Sequence, residues 1–259
     1  MNFKKGYETR RMSFSKLAVN ASSLITMKKN SIHGIVEVDI TEPRRLMKNR
    51  FEKTGEKLSL TTYIVACLAQ VVKDNPLMNS FKRGRKLIIL DDIVISVLVE
   101  REINGEMVPE PLGVLQADKK TLSQIQEEIR KAKEIKSDML GSISGRTWIR
   151  FIPKSLIKLI MRFVDKSVYV AKRFGKISVI GLGMFSNESL WIIPPGSTTV
   201  QVLAGGINKK VVEIDGKFVS REHLCVTVSF DHNVVDGAPA TRFINLLTET
   251  IKSGDLLKP

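Results

Sequence analysis

The nine residues Ser229-Phe230-Asp231-His232-Asn233-Val234-Val235-Asp236-Gly237 bring a histidine, two carboxylates and a glycine together at a sharp change of backbone habit. Imidazole is the side chain best suited to moving protons at neutral pH, and a carboxylate four residues away can orient it. His232 is therefore the candidate general base, and Asp236 its candidate partner in the catalytic pair. On spacing alone the motif names no reaction.

The flanking segments make that placement physically sensible. Leu224, Val226, Val228 and Phe230 alternate with the small residues Cys225, Thr227 and Ser229, the period-2 pattern of a strand with one face on a core. Past Gly237, Phe243, Ile244, Leu246, Leu247 and Ile251 recur at helical spacing, with Pro239 in the first turn, where its missing N–H costs nothing. His232 is thus expected on a short strand-to-helix connection. Asp236 is expected at the helix start, where a carboxylate caps free N–H groups and stays ionised.

Other chemistries find little support. The three histidines, His33, His223 and His232, have no zinc-ligand spacing, and the two cysteines lie far apart, so no metal site is expected. His33 and His223 read as strand-surface or sheet-edge residues. Gly141-Ser142-Ile143-Ser144-Gly145 has Ile143 where a nucleophile elbow needs serine. Gly181-Leu182-Gly183 has Ser186 where a dinucleotide fingerprint needs glycine. Cys67 and Cys225 both sit in apolar segments, which suits buried thiols in a reducing cytoplasm better than a disulfide framework.

The 259 residues, 43% hydrophobic and 26% charged, suit a globular protein able to bury a large core. No apolar run is long enough to span a bilayer, and a cytoplasmic location is expected. The net charge of +14 attracts anions. Aromatic residues are only 6% and are not interleaved with the basic ones, so nucleic acid is not the expected partner. The charge is concentrated. From Arg146 to Phe174 there are eight basic residues and one acidic residue, Asp165, which gives +7 of the +14. Lys154, Lys158, Arg162 and Lys166 fall at steps of four on a helix expected over Pro153 to Val170. That face is either solvated or a docking surface for a membrane or an acidic partner.

Elsewhere the pattern predicts a strand over Ile32 to Ile40 and a helix capped by Thr41 and ended by Gly55. A buried helix follows over Leu60 to Lys73. Strands are predicted near Leu77 to Phe81, Leu87 to Leu90 and Ile93 to Val99, the last turned back at Asn104-Gly105. Thr121 and Gln124 form a capping box for a helix running to about Lys136. Strands from Lys176 to Ile180 and Thr199 to Leu203, and a hairpin at Asp215-Gly216, complete the sheet.

Taken in order, these segments resemble the catalytic domain of the 2-oxo acid dehydrogenase acyltransferases, the dihydrolipoamide acyltransferase family. The resemblance rests on Ser229 to Ala238 with Ala240, Arg242-Phe243 and Leu246-Leu247. It extends to Glu37-Val38-Asp39-Ile40-Thr41, Lys57 to Thr61, Pro76-Leu77-Met78-Asn79, Asp92 to Val97, Lys120-Thr121-Leu122 and Pro194-Pro195. It implies an α+β fold of the chloramphenicol acetyltransferase type: a mixed sheet flanked by helices, in one domain over residues 1–259, with a basic helical insert at about 137–175.

The same resemblance implies a coenzyme A-dependent acyltransferase, working as a homotrimer or a multiple of one, with its active site between subunits. His232 would take the proton of coenzyme A or of a dihydrolipoyl-type thiol. A thiol near pKa ~8.5 is mostly protonated at neutral pH, and an imidazole near ~6.5 can accept its proton. Asp236 would be structural, paired with Arg11. Coenzyme A enters as substrate, with no metal and no lipoyl group carried on this chain. No lipoyl segment is read before Arg10, so the expected protein is free-standing or served by a separate lipoyl or acyl-carrier protein. Two departures stand out. Asn233 follows the motif histidine where the family has arginine. Ile180 occupies the place of a serine that steadies the oxyanion, which leaves Ser178, two residues back on the same strand face, as the oxyanion candidate. A catalytically weak or inactive homologue, kept as a trimeric scaffold or binding module, is the alternative.

Overall fold

The structure, a computed structural model, describes residues 29–103, 106–134, 154–182, 188–195 and 198–258, with Thr9, Asn20 and Ser23; for 101–103, 106–108, 154–158 and 161 it describes the backbone. The described strands are β1 (Ser31–Asp39), β2 (Ser80–Arg83), β3 (Lys86–Ile89), β4 (Ile95–Ile103), β5 (Glu106–Val114), β6 (Ile177–Gly181), β7 (Val200–Ile214) and β8 (Lys217–Asp231). The described helices are α1 (Thr41–Thr54), α2 (Leu60–Lys73), α3 (Leu122–Glu134), α4 (Lys154–Asp165), α5 (Val168–Phe174) and α6 (Gly237–Ser253).

Six strands make one mixed sheet in the order β1-β8-β7-β6-β4-β5, and β2 and β3 form a separate two-stranded ribbon. β6 runs parallel to β4 and β7, while the β1–β8, β7–β8 and β4–β5 pairs are antiparallel. Because side chains alternate across a strand, register assigns whole rows to one face. Phe230, Val200, Ile177, Ile95 and Val114 form one such row, and Val228, Val202, Val179, Val97 and Leu112 the next; all are buried. Against this face pack the apolar helices. α2 buries nine of its residues, Tyr63, Ile64 and Leu68 among them, and α6 contributes Phe243, Leu247 and Ile251. Phe230 meets Phe243 edge-on at 5.9 Å, the favoured arrangement for an aromatic pair. The α+β expectation holds.

Most local expectations match in type. Ser59 caps α2 by accepting from the Thr62 amide, and Thr121 and Gln124 exchange the two bonds of a capping box. Asp215 and Gly216 turn the β7–β8 hairpin with φ of 51° and 72°, the left-handed pair such a turn requires. Both cysteines are free and buried. Three details differ. Thr41 is the first residue of α1 and not its cap: its amide donates to Asp39 and its hydroxyl accepts from the Glu222 amide, tying β8 to the helix. Pro76–Asn79 is a turn of 3-10 helix, so the strand after it begins only at Ser80. The single helix expected over 153–170 is two, because Ser167 leaves helical geometry and caps α5 through the Val170 amide. The turn expected at 104–105 and the Gly141 to Gly145 stretch lie outside the described residues.

Candidate active site

β8 ends at Asp231 and α6 begins at Gly237, which confines His232 to a five-residue bridge. That bridge is strongly held. The Asp231 carbonyl accepts from the amides of Val234 and Val235, while its side-chain Oδ1 accepts from the amide and the side-chain Nδ2 of Asn233. Asp231 itself donates to Thr199 on the way into β7. Val235 is fully buried and plugs the loop into the core. The His232 amide donates to the Asn30 carbonyl at 2.7 Å, which fixes the histidine to the entry of β1. Asn233, where the family resemblance led us to expect arginine, is thus an internal clamp on Asp231.

The imidazole is half exposed, and its Nδ1 lies 3.1 Å from the Val235 carbonyl oxygen. A carbonyl only accepts, so Nδ1 is the donor, and in the neutral ring the free lone pair is on Nε2. Asp236 Oδ1 is 3.7 Å from Nδ1, outside hydrogen-bond reach, and its side chain is 85% exposed. Asp236 stands at the N-cap position of α6, with its carbonyl accepting from Ala240, but its side chain makes no capping bond. The buried carboxylate of the motif is Asp231, at 9% exposure. Arg11, the expected partner of Asp236, lies outside the described residues.

On the sheet face opposite the helices, register lines up His33, Ser229, Gln201, Ser178 and Ser96 in a single row across five strands. Ser229, Gln201, Ser178 and Ser96 are all buried. His33, exposed on the edge strand β1, shares a 2.8 Å hydrogen bond with the Ser229 hydroxyl. His223 lies on β8, opposite Asp39 and Asn208, with its Nδ1 buried and unpaired among the described residues. Sequence reading missed the polar row because the five residues belong to five segments, and only register joins them.

Ser178 is not brought to His232 within the chain. Its hydroxyl lies 2.9 Å from that of Thr198, which in turn donates to the Val200 carbonyl. Thr198 has one proton and spends it on Val200, so Ser178 is the donor in their shared bond. Its own proton is therefore committed. Ile180 lies two residues on and on the same face, beside Leu203.

A second cluster sits at the same end of the sheet. Asp165, the last residue of α4, accepts from Lys29 at 3.1 Å and from Lys176 at 3.2 Å, and its carbonyl accepts from Lys176 at 2.5 Å. Burial would raise the Asp165 pKa, but the Lys176 and Lys29 charges outweigh it and hold the carboxyl below the usual range. For Lys176, 8% exposed and stacked over Phe81, burial outweighs the attraction of Asp165 and lowers the amine.

A family model for the 2-oxoacid dehydrogenases acyltransferase catalytic domain matches residues 9–139 and 173–257. The chain belongs to that family. Among curated members of this acyltransferase family, it is 28% identical to the lipoamide acyltransferase component of the branched-chain alpha-keto acid dehydrogenase complex of Bacillus subtilis, over 91% of this chain and 50% of the relative. It is 24% identical to the same organism's dihydrolipoyllysine-residue acetyltransferase component of the acetoin cleaving system, over 89% of this chain and 49% of the relative. The chain thus spans about half the length of the curated relatives it matches. A probable dihydrolipoamide acetyltransferase of Listeria monocytogenes shares the fold at a TM-score of 0.71 and 20% identity, covering 96% of each chain. The cubic core of the pyruvate dehydrogenase multienzyme complex does so at 0.73 and 19%, covering 97% of this chain and 93% of that one. The acyltransferase model leaves residues 140–172 unmatched, a stretch that includes all of α4 and most of α5. Among the described residues no group of histidine, cysteine and carboxylate side chains could hold a metal ion, and no helix is long and apolar enough to cross a membrane.

Proposed function

We propose that the chain moves acyl groups between a thioester and a thiol, coenzyme A or a dihydrolipoyl group, with His232 as general base. The observation that carries this reading is the bond from Nδ1 to Val235, which leaves Nε2 as the basic nitrogen of a ring whose backbone is fixed on both sides. Nε2 takes the thiol proton as the sulfur attacks the thioester carbonyl carbon. A carbon–sulfur bond forms and the carbonyl becomes a tetrahedral oxyanion. On collapse the original carbon–sulfur bond breaks, and the imidazolium returns its proton to the departing sulfur. Asp236, 3.7 Å from Nδ1, stands near the charge that develops on the ring.

The family supplies coenzyme A as the thiol substrate, lipoyl groups carried on other domains or chains, and a homotrimer with the site between subunits. Consistent with such packing, Ile35 and Leu98 are exposed on the sheet face that carries Ile180, at 52% and 39%. Two buried free thiols suit a reducing, cytoplasmic setting. The arginine pairing of Asp236 through Arg11 belongs to this same reading.

One observation favours the second reading, a weakly active homologue serving as a scaffold. Ile180 has no donor and the Ser178 proton is engaged by Thr198, so the oxyanion lacks a donor worth roughly 3 kcal/mol. Transfer from acetyl-, isobutyryl- and succinyl-coenzyme A to dihydrolipoamide separates the two. Turnover above the buffer rate with any donor supports the enzyme reading, and buffer rates with all three support the scaffold.

A further inference from the structure

The stretch that the family model leaves out carries a surface of its own. α4 is 12 residues long, roughly 18 Å at 1.5 Å per residue, far short of a bilayer span. Leu159, Ile160 and Phe163 are exposed at 47%, 44% and 70%, and Tyr169 on α5 at 74%. At roughly 100° per residue, Leu159, Phe163 and Ile160 cover roughly 100° of the helix surface, with Arg162 roughly 60° to one side. Arg162, Lys166, Lys172 and Arg173 are all exposed. The one carboxylate of the segment, Asp165, lies nearly opposite the apolar arc and is held by Lys29 and Lys176. The side of α4 turned away from Asp165 is therefore apolar with Arg162 beside it, and α5 adds exposed Tyr169, Lys172 and Arg173 with no carboxylate of its own.

The segment is also firmly mounted. A Cβ on Gly113 of β5 would lie 2.2 Å from the Arg173 carbonyl oxygen, and one on Gly175 would lie 2.0 Å from that of Val94. The C-terminal end of α5 is thus pressed directly onto the sheet. Lys29 and Lys176, which hold Asp165, precede β1 and β6 at the end of the sheet that also carries His232.

We infer that the α4–α5 insert is a docking surface for an anionic lipid bilayer. Its basic side chains meet the phosphates, and Leu159, Ile160, Phe163 and Tyr169 enter the headgroup boundary. Charge disfavours a second copy, and the exposed apolar side chains disfavour nucleic acid. A second copy of the insert would bring +7 against +7, counted over Arg146 to Phe174. Nucleic acid satisfies the charges but leaves four large apolar side chains in water. Lying flat on an anionic interface satisfies both sets at once.

The test is co-sedimentation of the full chain with vesicles of phosphatidylcholine alone or mixed with phosphatidylglycerol, at low and high salt. Binding is expected only to the mixed vesicles, weakened about tenfold or more by high salt as screening shortens the reach of the charges. Phe163→Ser with Tyr169→Ser, and separately Arg162→Glu with Lys166→Glu, should each weaken binding about tenfold. Both variants should unfold at the wild-type temperature, since all four side chains are exposed. No binding by the wild type at low salt overturns the inference. So does binding that the apolar variant leaves unchanged, which marks simple adhesion of a basic protein. Retention by an acidic polypeptide such as polyglutamate, with no vesicle binding, assigns the surface to a protein partner and overturns it as well. None of these outcomes depends on acyl transfer.

Discussion

His232 gives its Nδ1 proton to the carbonyl of Val235, three residues ahead in its own loop. The strand-to-helix connection thereby sets the tautomer of the base with main-chain atoms, and Asp236 need not do so. Nitrogen-detected NMR of the neutral protein should find the His232 proton on Nδ1 and the lone pair on Nε2. A ring protonated on Nε2 alone would contradict this assignment.

Ser178 and Ile180 make a paired prediction. Because the Ser178 proton is engaged by Thr198, Ser178→Ala should change the acyl-exchange rate less than about threefold. Ile180→Ser restores a donor on the same face and should raise kcat about tenfold or more. A loss of about a hundredfold in Ser178→Ala would instead make that hydroxyl the oxyanion donor.

Asp165 links the insert to Lys29, 136 residues away in the chain, and to Lys176, 11 residues further on. Asp165→Asn leaves Lys176 buried without its counter-charge. The cost expected is toward the low end of roughly 3–5 kcal/mol, since Asp165 is partly exposed. The folded-state pKa of Asp165 lies below its ordinary value, so its contribution is complete above the unfolded pKa. It is lost as pH falls through the folded value. Chemical denaturation from neutral pH into acid should show a shallower fall for the variant than for the wild type; parallel curves would remove the pair from the stability of the fold.

Gly175 closes α5 with φ of 75°, and a Cβ there would fall 2.0 Å from the Val94 carbonyl oxygen. Gly175→Ala adds both left-handed strain and a backbone clash, so a loss of roughly 2 kcal/mol or more is expected. Thermal unfolding checks it, and an unchanged midpoint would show that the junction yields freely.

Much of the site's frame was legible in the chain because its signals are local. Leu224 to Phe230 alternates, Thr121 and Gln124 sit three apart, and His232 falls between a strand pattern and a helix pattern. What escaped depends on register or on distant partners. Thr198 meets Ser178 only because β6 and β7 pair in parallel, and Ser229 meets His33 only across β1 and β8. Asp236 looked like a cap because its position is right, yet its side chain faces solvent. The helix break at Ser167 was hidden by a basic period of four that continues to Lys166, one residue past the end of α4.

The central claim is that His232 is the base for acyl exchange between thioester and thiol. Its most direct test is the rate of acyl transfer from acyl-coenzyme A to dihydrolipoamide by the wild-type protein and by His232→Ala, with folding of both verified by their thermal transitions. A fall of roughly 10²- to 10⁴-fold in the variant is predicted. Equal rates for the two proteins across every donor tested would contradict the account.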